Sequence, residues 1–398
     1  MVEVQGGKLK KFIIKQFLPL GFVVGVVFAM VWDVPGHFLY GIKVNGWKIV
    51  STINIAIVFL IFGLTLETSE VKTALKSVKA LIMGLVSILG ITAVTAFLFA
   101  NVGFEPPEFG IGLAIFACSP TSLSQSITIV IQSYGNGALA LLYTVATNLL
   151  GIIVSPLTVG LVLGPAGAID KVDLLIKLLV QILLPLVVGK LLRDFVPPVL
   201  RFAVQYKVPL YLFNNFQIIM IVWQTLSYSR HKLLEQKAYD IILAIMGSIG
   251  QHFLFLVMNF IIAWLLRLKE SERKAFVISS SQKSLPTAAV LIEAINNPNY
   301  NAGLMTIPCM VFYVMQLFID SFIANGWAGK FERADAMRLK YADELAELYK
   351  LDDPESAMFL QGPHAPSNAD GAVVMSLADA KHGVAEDKQG LLTGVPRS

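Results

Sequence analysis

The sequence predicts an all-α membrane protein of ten transmembrane helices, arranged as two five-helix inverted repeats. Three observations predict it. The first is composition. Of 398 residues, 56% are apolar and 15% charged, with a mean hydropathy of +0.69, whereas a soluble domain averages about 45–50% apolar and about 25% charged. The second is a run of apolar stretches at 12–32, 47–66, 78–101, 109–133, 137–163, 173–192, 208–226, 240–266, 274–296 and 302–325. Each is close to the roughly 20 residues that a hydrocarbon core of about 30 Å demands. The third is a polar, proline-containing break that occurs in the fourth stretch and again in the ninth.

Composition also excludes. Two cysteines, Cys118 and Cys309, cannot build a disulfide framework, and no Cys/His cluster has zinc-site spacing. A net charge of +4 with dispersed Lys and Arg gives no nucleic-acid footprint. A soluble α/β enzyme, a secreted module and a DNA-binding protein are thereby set aside.

The first apolar stretch is too long for a signal-peptide core and no small-residue cleavage site follows it, so it reads as a permanent anchor. The lysines before it, Lys8 to Lys15, give no plastid or mitochondrial address. Basic residues gather at alternate span ends: Lys8, Lys10, Lys11 and Lys15; Lys72, Lys76 and Lys79; Lys190, Arg193, Arg201 and Lys207; Arg267, Lys269, Arg273 and Lys274; then Lys330, Arg333 and Arg338. The opposite side has fewer, and it holds Glu105 and Glu108. The positive-inside rule then puts both termini in the cytoplasm. Residues 330–350 are charged on most faces and read as a solvated helix. Residues 352–398, poor in large apolar groups, read as a disordered tail open to regulatory partners.

The two breaks are the most informative local feature. Cys118-Ser119-Pro120-Thr121-Ser122-Leu123-Ser124-Gln125 interrupts the fourth stretch, and Ser279-Ser280-Ser281-Gln282-Lys283-Ser284-Leu285-Pro286-Thr287 interrupts the ninth. Pro120 and Pro286 are 166 positions apart, and each break is followed by a short helix, an Asn-containing turn and a long apolar span. Five spans per half make the second half insert upside down, with repeats at 1–163 and 164–326 and a tail at 327–398. Irregular backbone survives at membrane depth only where protein or water surrounds it. Half-helix N-termini favour anions there, and unwound carbonyls favour cations. The expected task is to hold a small organic anion and a coupling cation.

Several motifs resemble the bile acid:sodium symporter family. They are Phe62-Gly63-Leu64-Thr65-Leu66-Glu67-Thr68, Gly135-Asn136, Leu150-Gly151-Ile152-Ile153-Val154-Ser155-Pro156-Leu157 and Gln282-Lys283-Ser284-Leu285. The chain is most similar to the member-seven branch of that solute carrier family, over about residues 10–325. The resemblance implies a panel of spans 1, 2, 6 and 7 and a core of spans 3–5 and 8–10, with spans 4 and 9 crossing. Its sodium-site pattern falls on Ser124 and Gln125, on Ala140 and Thr144, and on Gln282. The family's glutamate position reads Ile278 here, and its Gln-Asn-Ser reads Gln282-Lys283-Ser284. The implied sodium set is therefore Ser124, Gln125, Thr144 and Gln282, without the bridging carboxylate.

Lys283 is the basic side chain nearest a bilayer midplane, where a charge costs about 2.5–3.5 kcal/mol on insertion scales. Three readings stand. Its ammonium fills a vacated sodium position, it pairs with an anionic substrate, or carbonyls satisfy it. Burial disfavours a charged lysine, so proton coupling fits the first. Ser122, Asn148 and Ser284 complete the expected ion and substrate site, with His252 and Gln316 as weaker members. Asn214, Asn215 and Gln217 are expected on the panel side, and Glu293 and Asp320 near solvated span ends. No cofactor is expected beyond a sodium ion or a proton.

The leading function is a secondary transporter of a small organic anion in the plasma membrane or an endomembrane. The member-seven resemblance implies a second, a regulator of cellular calcium homeostasis with little or no flux. A Ser124–Lys283 dyad would be the core of a third, an intramembrane hydrolase, but no paired aspartates or His-Glu-x-x-His support it.

Overall fold

A computed structural model describes residues 16–66, 77–163, 171–293, 295 and 300–349. The expectations for Lys8–Lys15, Glu67, Thr68, Lys72, Lys76, Asn299 and the 352–398 tail lie outside them. The chain divides into a unit Met1–Phe331 and a unit Glu332–Ser398, and in the second the described residues are helical.

The described chain is helical apart from a two-residue hairpin, β1 (Lys43–Val44) and β2 (Trp47–Lys48). The helices are α1 (Phe17–Val31), α2 (Val34–Gly41), α3 (Ile49–Thr65), α4 (Val78–Asn101), α5 (Pro107–Cys118), α6 (Ser124–Gln132) and α7 (Gly137–Leu163). There follow α8 (Val172–Phe195), α9 (Pro197–Gln205), α10 (Lys207–Leu234), α11 (Ala238–Leu265), α12 (Glu270–Ser281), α13 (Leu285–Glu293) and α14 (Ala302–Tyr349).

Helix underlies every predicted stretch, but the count of independent spans is smaller. Among the described residues, α4, α7, α8, α11 and the Ala302–Gly329 part of α14 are long and apolar enough to cross a membrane. The α1–α2 pair, bent by 96°, makes a sixth if taken as one span. The reasons are physical. The halves of the broken helices have 12 and 9 residues each, α3 stops at 17, and α10 carries Asn214, Asn215, Gln217 and Arg230 in its 28 residues.

Large apolar side chains cover the outside as well as the core. Val24, Phe28, Ile153, Leu161, Phe253, Trp264 and Phe322 lie exposed on the outside, whereas Ser279 to Ser284 and Asn148 are buried. A lipid exterior explains both, because polar groups must find partners inside. The protein is an all-α membrane protein.

Close approach of backbones is arranged by small residues. A Cβ on Gly63 of α3 would collide with the carbonyl of Leu186, and one on Gly189 of α8 with the carbonyl of Leu60, so α3 and α8 touch main chain to main chain. Helices α1, α3, α8 and α10 pack on one another. Helices α5, α6 and α12 pack with α4, α7 and α11, α13 packs with α5, α8 and α10, and Gly112 brings α5 onto Met305 of α14.

Among the described residues two π-turns interrupt the long helices, Ser87–Ile91 in α4 and Leu179–Leu183 in α8. Each shifts the hydrogen-bond register by one residue, which loosens the claim on carbonyls locally.

Candidate functional site

Pro120 has no N–H, and it disfavours helical geometry at the residue before it. Ser119 accordingly turns extended (φ −75°, ψ 150°), and α5 stops. At the other break Gln282 turns extended (φ −86°, ψ 149°), and Pro286 enters the first turn of α13, where a missing N–H is tolerated.

The two breaks meet and answer each other. The Ser284 N–H donates to the Pro120 carbonyl (2.9 Å), Thr121 Oγ1 donates to the Ser279 carbonyl (2.6 Å), and Ser122 Oγ donates to Gln282 Oε1 (2.5 Å). Backbone that lipid would leave unpaired is thus paired across the crossing.

An amide side chain from the long helix that follows holds each break. Asn148 of α7 donates to the carbonyls of Thr121 (3.2 Å) and Thr144 (2.8 Å). Gln316 of α14 accepts from the Lys283 N–H (2.9 Å) and donates to the Lys283 carbonyl (3.1 Å). A Gln316→Leu substitution would orphan both backbone groups. The expected loss is about 1–3 kcal/mol for each, read as a lower Tm in detergent against a Phe318→Leu control on the exposed face.

Lys283 is fully buried. Its Nζ donates to the Ile88 carbonyl (2.8 Å), Thr92 Oγ1 (2.8 Å) and the Ser119 carbonyl (2.9 Å), which uses all three ammonium protons. The Phe255 ring lies 5.7 Å away. Ile88 belongs to the π-turn of α4, and Ser119 caps the C-terminus of α5.

The proposed site residues do not all join. Thr144 Oγ1 donates to the Ala140 carbonyl (2.9 Å) and lies 3.3 Å from Ser126 Oγ. Gln125 Nε2 donates instead to Asn215 Oδ1 of α10 (3.3 Å), and Ser124 Oγ has no protein partner. Ser284 Oγ pairs with Thr287 Oγ1 (3.0 Å). Thr144 and Gln282 are linked through Ser126 and Ser122, the Ser126 N–H donating to Ser122 Oγ (3.2 Å), whereas hydrogen bonds join neither Ser124 nor Gln125 to them, nor Ser124 to Lys283. Ile278 is buried in an apolar cluster with Phe276 and Val277.

Asp320 and Glu293 correct the expectation of solvated span ends. Asp320 is fully buried, with Oδ1 2.9 Å from His252 Nε2 and Oδ2 accepting from Gln282 Nε2 (2.7 Å). A continuous chain therefore runs Ser122–Gln282–Asp320–His252. His252 lies against the Phe312 ring (5.1 Å between centroids), and its Nδ1 has no protein partner. Glu293 accepts from Ser51 Oγ (2.8 Å) across to α3. An acidic residue inside the apolar run of α14 was the available signal for Asp320; its pairing with His252, 68 positions away, had none.

On α10, Asn214, Asn215, Gln217, Gln224, Ser227 and Ser229 are buried; Asn215 meets Gln125 of α6, Ser227 lies against Gly36 of α2 and Ser229 against Gly303 of α14. Asn214 Oδ1, Asn215 Nδ2, both amide atoms of Gln224, and the Ser227 and Ser229 hydroxyls have no protein partner. Groups of this kind require water or a ligand.

Comparisons with known proteins agree with the membrane architecture. Residues 16–329 match the SBF-like CPA transporter family. The chain is 32% identical over 334 residues to the "Probable sodium/metabolite cotransporter BASS4, chloroplastic" of Oryza sativa subsp. japonica, covering 81% of this chain and 78% of that one. It is 24% identical over 311 residues to "Sodium/bile acid cotransporter 7" of Rattus norvegicus (75% and 90%). It is 25% identical over 286 residues to the "Uncharacterized sodium-dependent transporter YocS" of Bacillus subtilis (72% and 85%). The likeness to the bile acid:sodium symporters read from the motifs extends over most of the chain, and the protein belongs to the SBF-like CPA transporter family.

Proposed function

We propose that the chain is a secondary active transporter of a small organic anion, working by alternating access through a membrane that it crosses ten times. Residues 1–163 and 164–326 are its inverted repeats, and 327–398 its cytoplasmic tail. The observation that carries the reading is the meeting of two broken helices at a buried crossing that holds a cationic side chain. Backbone of this kind is costly in lipid, and repeat-built transporters use it for their substrate sites.

The site consists of Ser122, Ser124, Gln125, Thr144, Asn148, Gln282, Lys283 and Ser284, with His252 and Gln316 behind it. Helices α1, α3, α8 and α10 form a panel against which the remaining helices move. The unpartnered Asn215 Nδ2 supports water or a ligand at that boundary, and the Gln125–Asn215 contact bridges it. Lys and Arg at alternate span ends support cytoplasmic termini. The relatives' names support sodium-coupled transport in general. No observation favours the calcium-regulator reading.

Uptake into proteoliposomes tests the proposal, with radiolabelled succinate and taurocholate as probes of the two anion sizes. Saturable accumulation of either above empty vesicles is the expected result. Neither probe entering, with neither competing for the other's binding to the purified protein, would count against an anion transporter.

A further inference from the structure

The three oxygens around Lys283 Nζ have a common origin. The Ile88 carbonyl lies in the π-turn of α4, where the helical register slips. The Ser119 carbonyl ends α5, at the negative pole of its helix dipole, and the residue after it is Pro120. Thr92 Oγ1 directs its own proton to the carbonyls of Ser87 (2.9 Å) and Ile88 (2.8 Å), leaving its lone pair for the cation. All three are neutral oxygens and all are buried. No carboxylate bonds to Nζ. An oxygen cage of this kind, formed by freed carbonyls and a hydroxyl, is the chemistry of a monovalent cation site.

The residues that the family resemblance would offer to sodium lack its bridging carboxylate, since Ile278 stands in that position, and they do not all join. Gln125 is directed to α10 and Ser124 Oγ has no protein partner, while Thr144 and Gln282 are connected through Ser126 and Ser122. We infer that Lys283 is the monovalent cation of the crossing, supplied by the chain itself, and that no sodium ion binds there. Anion movement then does not depend on sodium at this site. The inference deepens the reading of the crossing as a transport site, on which its meaning for flux rests.

Thermal unfolding of the full chain in detergent tests it, in sodium, potassium or choline chloride at equal ionic strength. Wild type should unfold at one temperature in all three salts. Lys283→Ala, with its cage emptied, should unfold lower and recover with added methylammonium in a saturable manner that wild type does not show. A sodium-specific rise of equal size in both proteins would overturn the inference, as would a variant indifferent to methylammonium and to all three salts. Should Lys283→Ala fail to fold, equilibrium binding of radioactive sodium to wild type decides. No saturable binding is expected, and saturable binding overturns the assignment. Neither readout needs turnover, so failure to observe anion uptake would remove the transport reading and leave this one standing.

Discussion

Replacing Asp320 with alanine is expected to cost about 3–5 kcal/mol of unfolding free energy, the usual penalty for breaking a buried polar pair from one side. The carboxylate is shared between His252 Nε2 and Gln282 Nε2, and Gln282 in turn accepts from Ser122. Removing it strands a buried imidazole that already has one unpartnered nitrogen, together with an amide proton pair beside the crossing. Whole-protein stabilities run to only about 5–15 kcal/mol, so the loss should be plain in a thermal melt in detergent. Asp320→Asn keeps an acceptor and the side-chain shape, and it should fall between alanine and wild type. An alanine variant within about 1 kcal/mol of wild type would show that water takes over the carboxylate's role.

Cross-linking α6 to α10 is expected to reduce anion uptake to that of empty vesicles. Gln125 of α6 and Asn215 of α10 touch across the boundary between the crossing and α10. Alternating access requires that contact to separate. In a Gln125→Cys/Asn215→Cys variant, a short bis-methanethiosulfonate linker would hold the two helices together, and a reductant would release them. Uptake should vanish on linking and return on reduction, measured in the same proteoliposomes. Uptake that survives a completed link would mean that α6 does not move against α10 during the cycle. Reversibility separates a mechanical block from damage done by the substitutions themselves.

Both predictions rest on features that differ in how visible they were from residues alone. The breaks were legible because each is a local event. A proline within a cluster of hydroxyls inside an apolar run strongly disfavours a continuing helix, although the lone Ser155-Pro156 pair is carried through α7. Lys283 was legible for a similar reason, since a charge at membrane depth has few acceptable positions. The family was legible from short motifs that cluster around the same turns. Span counting was less secure, because a hydropathy window sums straight through a break and cannot register that α12 and α13 have 12 and 9 residues.

What lay beyond the sequence is a matter of distance along the chain. The His252–Asp320 pair joins α11 to α14, and Ser51–Glu293 joins α3 to α13 over 242 positions. No periodicity encodes such meetings; they follow from how the helices pack. The cage around Lys283 depends on a one-residue register slip in α4, which is a backbone event with no side-chain signature at Ser87–Ile91. Composition and patterning alone thus settled the solvent in which this chain folds, where two helices break and that the Lys283 charge is buried. Only the folded packing decided which atoms answer that charge, because hydrogen-bond partners are chosen by proximity in space and membrane helices bring distant residues side by side.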